Sequence, residues 1–219
     1  MAAPPTARRK LLDTAADLFY REGIGPTGVD RISAEAGVSK RSLYQYFAGK
    51  DELVAAALSD HAQVILGRYI PVADSEAPAR QKILDVFDAL HRWSQAPDFR
   101  GCPFVNVATE LADPHHPARA VARDHKLNLE RYFAHQARVG GAKNPKLLAE
   151  QLLMLFDGAI CQAVMRSAPV RALILASAQA RPSSVSDAVT RRAPRNIARS
   201  VGCLSTLPRT RVSMAALMA

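Results

Sequence analysis

A chain of 219 residues has room for one or two compact domains, and its ordinary apolar fraction leaves enough material for a sizeable core. No run approaches the roughly 18–20 apolar residues of a membrane span, the opening MAAPPTARRK has no apolar block of the kind a secretory leader carries, and the three scattered cysteines Cys102, Cys161 and Cys203 make no disulfide framework, so the expectation is a cytoplasmic protein with reduced thiols. The net charge of +9 invites nucleic acid as a partner, but seven arginines against one acid lie from Arg181 onward and residues 1–50 carry eight Lys/Arg against five Asp/Glu, so the middle of the chain is nearly neutral and local arrangement has to carry that argument.

Helical periodicity dominates the chain from its start. Leu11, Leu12, Ala15, Ala16, Leu18 and Phe19 recur at spacings of three and four, which predicts one helix with Thr6 as its cap and Gly23 and Gly25–Pro26 as its end. A second short helix follows Thr27, with Val29, Ile32 and Ala36 on one side, and breaks at Gly37. Ser39 is suited to cap a third, in which Leu43 and Phe47 lie four apart and face inward; Gly49 stops it. Asp51 and Glu52 fall in the first turn of a fourth helix, where the dipole favours anions, and Leu53, Val54, Ala57, Leu58, Val64 and Ile65 give that helix an apolar stripe to about Tyr69. Ile70–Pro78 reads as a linker. Helices are expected near Ala79–Ser94, Pro103–Leu111, Ala118–Val139 and Pro145–Ser167, with Val170–Ala180 compatible with one more. No alternating strand pattern is present. From Arg181 the chain turns rich in Arg, Ser and Pro without an apolar face and reads as a weakly ordered basic tail. The abrupt change also suggests an altered reading frame, which comparison of the three coding frames at the 3′ end would test.

The informative stretch is TGVDRISAEAGVSKRSLYQYFAGKDEL, Thr27–Leu53. Two short helices joined by a glycine-containing turn, the second of them capped, follow the helix-turn-helix plan. Gly37 relieves the backbone at the turn, Ala34 and Ala36 permit close approach of the helices, and Val38 and Leu43 plug the core beneath. The third helix then exposes Lys40, Arg41, Ser42, Gln45 and one or both of Tyr44 and Tyr46, side chains suited to phosphates and base edges. A plain helical hairpin has no need of such an outer face.

These residues resemble the N-terminal domain of the TetR family of repressors. AADLFYREG, the spacing Thr27-x-Val29-x-x-Ile32, and AGVSKRSLYQYFAGKDEL match the family pattern A-G-V-S-x-x-x-L-Y-x-[HY]-F-x-x-K-x-x-L without a gap. Further along, RGCPFVNVATELADPHHP and LLMLFDGA are similar to segments of one branch of the family. The resemblance implies an all-α protein: a three-helix head over residues 1–50, a connecting helix over 51–69, a helical effector and dimerisation domain over 70–180, and the tail 181–219. It implies that Lys40, Arg41, Ser42 and Gln45 line the major groove, Gln45 reading adenine and Arg41 guanine, while Thr27, Tyr46 and Lys50 hold phosphates. Ser39 and Tyr44 complete the DNA-facing set, Tyr44 also matching, with Phe47, an aromatic pair that packs the domain. The implied partner is an inverted-repeat DNA operator bound by a homodimer, with half-sites about 34–36 Å apart. The dimer interface falls on Pro145–Ser167 and Val170–Ala180, and the final helix fades earlier than the family pattern calls for. A small-molecule effector is expected in a mostly apolar pocket, with Trp93, Phe99, Cys102, Asn106 and Glu110 as candidate lining residues.

The remaining polar clusters have plainer readings. His115 and His116, near Asp113, Glu110 and His125, lack metal-ligand spacing and read as a solvated loop. Asn106 and Glu110 share a helix face that either lines a pocket or ends a helix. Cys102 has only Arg100 in sequence reach to lower its pKa, which argues against a redox sensor. No nucleophile elbow, phosphate loop, zinc motif or dinucleotide fingerprint is present, so no catalytic residue, metal or cofactor is assigned. The alternatives to a regulator, a helical protein-binding adaptor or a helical enzyme, differ from it in a simple observable: only a DNA binder weakens steeply with salt.

Overall fold

The computed structural model describes residues 5–70 and 76–170, and these form eight α-helices with no strand among the described residues. They are α1 (Ala7–Glu22), α2 (Val29–Ala36), α3 (Lys40–Tyr46), α4 (Lys50–Tyr69), α5 (Ala79–Trp93), α6 (Pro103–Glu110), α7 (Pro117–Val139) and α8 (Pro145–Arg166). The expected helix beyond Val170 and the basic tail lie outside the described residues.

Each start signal has a physical counterpart. The Thr6 hydroxyl accepts from Arg9 N–H at 3.2 Å and opens α1. Ser39 Oγ accepts from Ser42 N–H at 3.1 Å and opens α3. The Asn144 side chain does the same for α8 through Leu147 N–H at 3.2 Å. At α4 the cap position is a glycine, and Glu52 reaches back to accept the Ala48 N–H at 2.7 Å. Pro103, Pro117 and Pro145 occupy the first helical position, where their missing N–H is no loss.

The buried side chains form two clusters. Leu11, Leu12 and Leu18 of α1, Ile32 of α2, Leu43 of α3 and Leu53 of α4 are the centre of the first, all fully buried. Each such leucine contributes about 1.5–3 kcal/mol when removed from water. The second cluster centres on Phe87, Phe104, Phe133 and Phe156, from α5, α6, α7 and α8. Helix α4 serves both, giving Leu53 and Ala57 to the first and Val54, Leu58 and Tyr69 to the second. Helix α7 is the central pillar of the second cluster and packs against α8, α4, α6 and α5.

Several expectations are corrected. Ala34 is exposed, so the small buried residues on the inner face of α2 are Ser33 and Ala36. Val64 is 58% exposed and leaves the apolar stripe of α4, whose turn there faces outward. His116 is buried rather than solvated: its Nδ1 accepts the Ala118 N–H at 3.1 Å and caps α7. Helix α8 is, against the sequence reading, long and apolar enough to cross a membrane by length and composition. Its Ala149, Leu152, Phe156, Ile160 and Ala163 are packed into the core, and a third of its apolar window is buried in all.

Candidate nucleic-acid interface and junction cavity

The turn between α2 and α3 is set by Gly37, which takes the left-handed conformation (φ +62°). That geometry lets Gly37 N–H reach Ala34 O at 3.2 Å and Val38 N–H reach Ser33 O at 3.0 Å, closing α2 before the chain turns. Leu43 (0% exposed) and Phe47 (2%) anchor α3 from below. The arithmetic of the helix then fixes the other side: Lys40, Arg41, Tyr44 and Gln45 point outward and are exposed, and Ser42 is half-buried.

The candidate DNA-facing residues divide by what they already hold. Arg41 and Gln45 have no ion pair or side-chain hydrogen bond among the described residues and stand free for a ligand. The Lys40 ammonium is held by Asp30, whose hydrogen bond raises the lysine above its ordinary pKa. Lys50 Nζ donates to Gly25 O at 3.2 Å, placing its charge beside the α1–α2 loop. Ser39 and Ser42 share a 3.0 Å hydroxyl contact at the first turn. Tyr46 is 43% exposed next to α3's end. Two sequence expectations fail here. Tyr44 is 53% exposed and makes no ring contact with Phe47, so it faces outward with the DNA-facing set; the aromatic pair is Tyr46 with Phe47, their ring centroids 6.4 Å apart. Thr27 is fully buried, and its hydroxyl donates to Gly23 O at 2.7 Å, so it closes the α1–α2 loop instead of meeting a phosphate.

Between the head and the helices beneath it lies an open cavity of about 270 Å³. Its roof is α1 (Ala16, Phe19, Tyr20), its wall α4 (Val54, Leu58, Ile65), and its floor α6 (Pro103, Asn106, Val107, Glu110), with Trp93 and Asp98 at one end. Three of the five candidate pocket residues, Trp93, Asn106 and Glu110, line it. Phe99 and Cys102 do not: Phe99 packs edge-on to Trp93 at 4.9 Å, and Cys102 is wholly buried behind the floor.

Two hydrogen-bonded ties cross the same junction, and sequence reasoning missed both. The Tyr20 hydroxyl accepts from Arg100 N–H at 2.8 Å and donates to Gly101 O at 3.1 Å. The Glu110 carboxylate accepts from Gly25 N–H at 2.6 Å. Gly23 makes the second tie possible. It has φ +97°, and a Cβ there would stand 3.1 Å from Glu110 Oε1. Where α7 begins beside α4, His116 Nε2 lies 3.3 Å from Asp51 but makes no hydrogen bond. The partners are separated by 80 and 85 residues in the first two ties, and helical periodicity carries no signal for such pairs.

Behind the floor, Lys126 sits against Asp157 and Cys102. Burial pulls its ammonium down, but the Cys102 and Asp157 neighbours outweigh that and raise its pKa. The sequence offered only Arg100 as a basic neighbour of this thiol. His125 stacks on Phe104 (centroids 3.6 Å apart), and burial, with Lys126 adding, lowers its pKa to about 4. His115, His116 and His125 thus have three separate environments and form no common site. The described residues do bring Asp13, Asp60 and His61 together, but Arg9 already lies 2.6 Å from Asp13 and 2.8 Å from Asp60 and supplies the positive charge.

Comparison with known proteins agrees with this geometry. Residues 11–57 match the family model for bacterial regulatory proteins of the tetR family, and residues 79–177 match the tetracyclin repressor-like C-terminal domain. A tetR-type transcriptional regulator from Streptomyces avermitilis is 43% identical in sequence; the alignment covers 74% of this chain and 88% of that one, with a TM-score of 0.72. A TetR-family transcriptional regulator from Streptomyces coelicolor is 31% identical, covering 79% and 92% of the two chains, again with a TM-score of 0.72. The HTH-type transcriptional repressor KstR2 of Mycolicibacterium smegmatis is 33% identical over 86 residues, which are 39% of this chain and 42% of that repressor; the match spans less than half of the relative's length.

Proposed function

Because the chain belongs to the tetR family of bacterial regulatory proteins, it is a transcriptional regulator, and we propose that it acts in the cytoplasm as a homodimeric repressor that leaves its DNA operator when a small-molecule effector binds. Residues 1–50 are the DNA-binding head, 51–69 the connecting helix and 70–180 the effector and dimerisation domain in this reading. The observation that carries it is α3: a capped helix anchored by Leu43 and Phe47 that presents Arg41 and Gln45 without partners. Gln45 has the donor–acceptor pair for adenine and Arg41 the fork for guanine. Lys40 and Ser42 share the groove-facing side with them, and Lys50 and Tyr46 flank them as phosphate contacts that fix register.

The second copy is supported by α8. Leu147, Met154, Cys161 and Met165 form one exposed stripe on this helix, 46%, 67% and 69% exposed at Leu147, Met154 and Met165, while the opposite face is core. An unpartnered apolar helix face of that length suits an isologous interface with an identical copy. The effector acts by preferring the head spacing that does not fit DNA, and lowers DNA affinity by that preference and no more.

The test is salt-dependent binding to the DNA upstream of the chain's own gene, read by fluorescence anisotropy. The wild type should weaken steeply as salt rises, and Lys50→Ala should flatten the slope by about one counterion. Binding that ignores salt, or no DNA binding at all, points to the adaptor reading instead.

A further inference from the structure

We infer that the cavity between α1, α4 and α6 is a binding site for an amphipathic organic cation, an aromatic or aliphatic body carrying a protonated or quaternary amine. Three observations support the site. It is a real void of about 270 Å³, enough for a ligand of modest size. Its walls are apolar and aromatic, with Phe19, Leu58, Val107, Tyr20 and Trp93 among the lining residues. Its polar groups are few and unevenly charged, the pattern of a ligand pocket and not of a core defect.

The charge pattern selects the ligand class. Four carboxylates border the cavity. Asp13 shares Arg9 with Asp60, and Asp17 pairs with Arg21. Asp98 and Glu110 have no ion pair among the described residues, and the only hydrogen bond Glu110 accepts there is the neutral Gly25 N–H. Arg68 is the lone guanidinium on the lining, and it faces the Asp98 end, where both act on Tyr20. Glu110 thus keeps a carboxylate without a direct ion pair beside apolar walls, the Lys50 ammonium stopping at Gly25 O. Glu110 is exposed, so a cation gains the attraction of a partly screened pair there while an anion is repelled, and the aromatic Tyr20 on the lining favours an ammonium group.

The location gives the site its consequence. Glu110 is both the lone carboxylate at one end and the acceptor of the tie to Gly25. A bound cation draws on the same carboxylate, and so loosens one of the two hydrogen-bonded links between the head and the floor of the cavity. This deepens the effector reading above and rests on it for its regulatory meaning; ligand binding itself does not require DNA.

The test uses three fluorescent ligands of nearly one shape: 1-naphthylmethylammonium, 1-ethylnaphthalene and 1-naphthylacetate, titrated into the full chain without DNA. The cation is expected to saturate, with the anion at least tenfold weaker. Glu110→Gln should raise the cation's Kd by about tenfold, the scale of one partly screened charge pair, and leave 1-ethylnaphthalene unchanged. Val64→Trp, at an exposed position on the cavity lining, should block all three while the melting curve stays that of the native fold. Equal or tighter binding of the anion, no saturable binding of the cation, or unaltered cation binding in Val64→Trp overturns the proposal. DNA binding of the ligand-free protein is measured separately, so failure here and failure of the regulator reading give different results.

Discussion

Tyr20→Phe removes a single oxygen from the junction between the head and the helices below it, and the structure lets the effect be sized. The ring is half-buried and stays in place. The lost hydroxyl accepts from Arg100 N–H at 2.8 Å and donates to Gly101 O at 3.1 Å, with no other partner among the described residues. Burial pushes its pKa up, so it is a neutral donor at every working pH. Each net hydrogen bond contributes about 0.5–1.5 kcal/mol, so the pair contributes about 1–3 kcal/mol. Arg100 is an exposed residue, and water reaches a freed amide there, which moves the expectation to about 1–2 kcal/mol. With a urea slope of about 2 kcal/mol/M, the midpoint of unfolding, followed by far-ultraviolet circular dichroism, should fall by about 0.5–1 M. The double variant with Glu110→Ala should be additive within about 0.5 kcal/mol if the ties act independently. An unchanged midpoint in Tyr20→Phe refutes the claim that this hydroxyl clamps the junction.

Two further outcomes follow from the same structure. His125 has its pKa lowered from 6.5 to about 4 by burial, so below about pH 6.5 the unfolded chain takes up a proton that the folded one refuses. Stability is therefore full above that pH and declines as pH falls toward 4, and His125→Phe should abolish about 2–3 kcal/mol of the loss between pH 7.5 and 4.5; an identical acid profile in the variant contradicts the assignment. Met154→Glu places a charge in the exposed stripe of α8, and sedimentation should show a dimer for the wild type and a monomer for the variant; a variant dimer of unchanged affinity moves the interface elsewhere.

The head was legible in the sequence because its information is local. The caps Thr6 and Ser39, the break at Gly37 and the spacing of Leu43 and Phe47 each concern neighbours within one or two turns, and the structure places all of them as read. The same rules misplaced Tyr44 and Thr27. Motif correspondence assigned them roles, but α3 is only seven residues long and Leu43 and Phe47 already fill its inner face. Thr27 was out of reach for another reason: a hydroxyl in a tight loop finds the nearest carbonyl first. The junction was illegible. Tyr20 with Arg100, Gly25 with Glu110 and Lys126 with Cys102 join distant segments, and periodicity states which face of a helix is buried without stating against what. His116 illustrates the same limit: two adjacent histidines between prolines read as solvent-exposed until α4 supplies Asp51 beside one of them.

The most direct measurement of the central claim is selection of bound sequences from a random DNA pool by the wild type and by Gln45→Ala. The account predicts that the wild type enriches an inverted repeat with half-sites about one helical turn apart or more, and that Gln45→Ala keeps the repeat but relaxes one base pair in each half. Enrichment of no repeat, or a repeat whose every position survives substitution of both Arg41 and Gln45, would show that α3 does not read the bases.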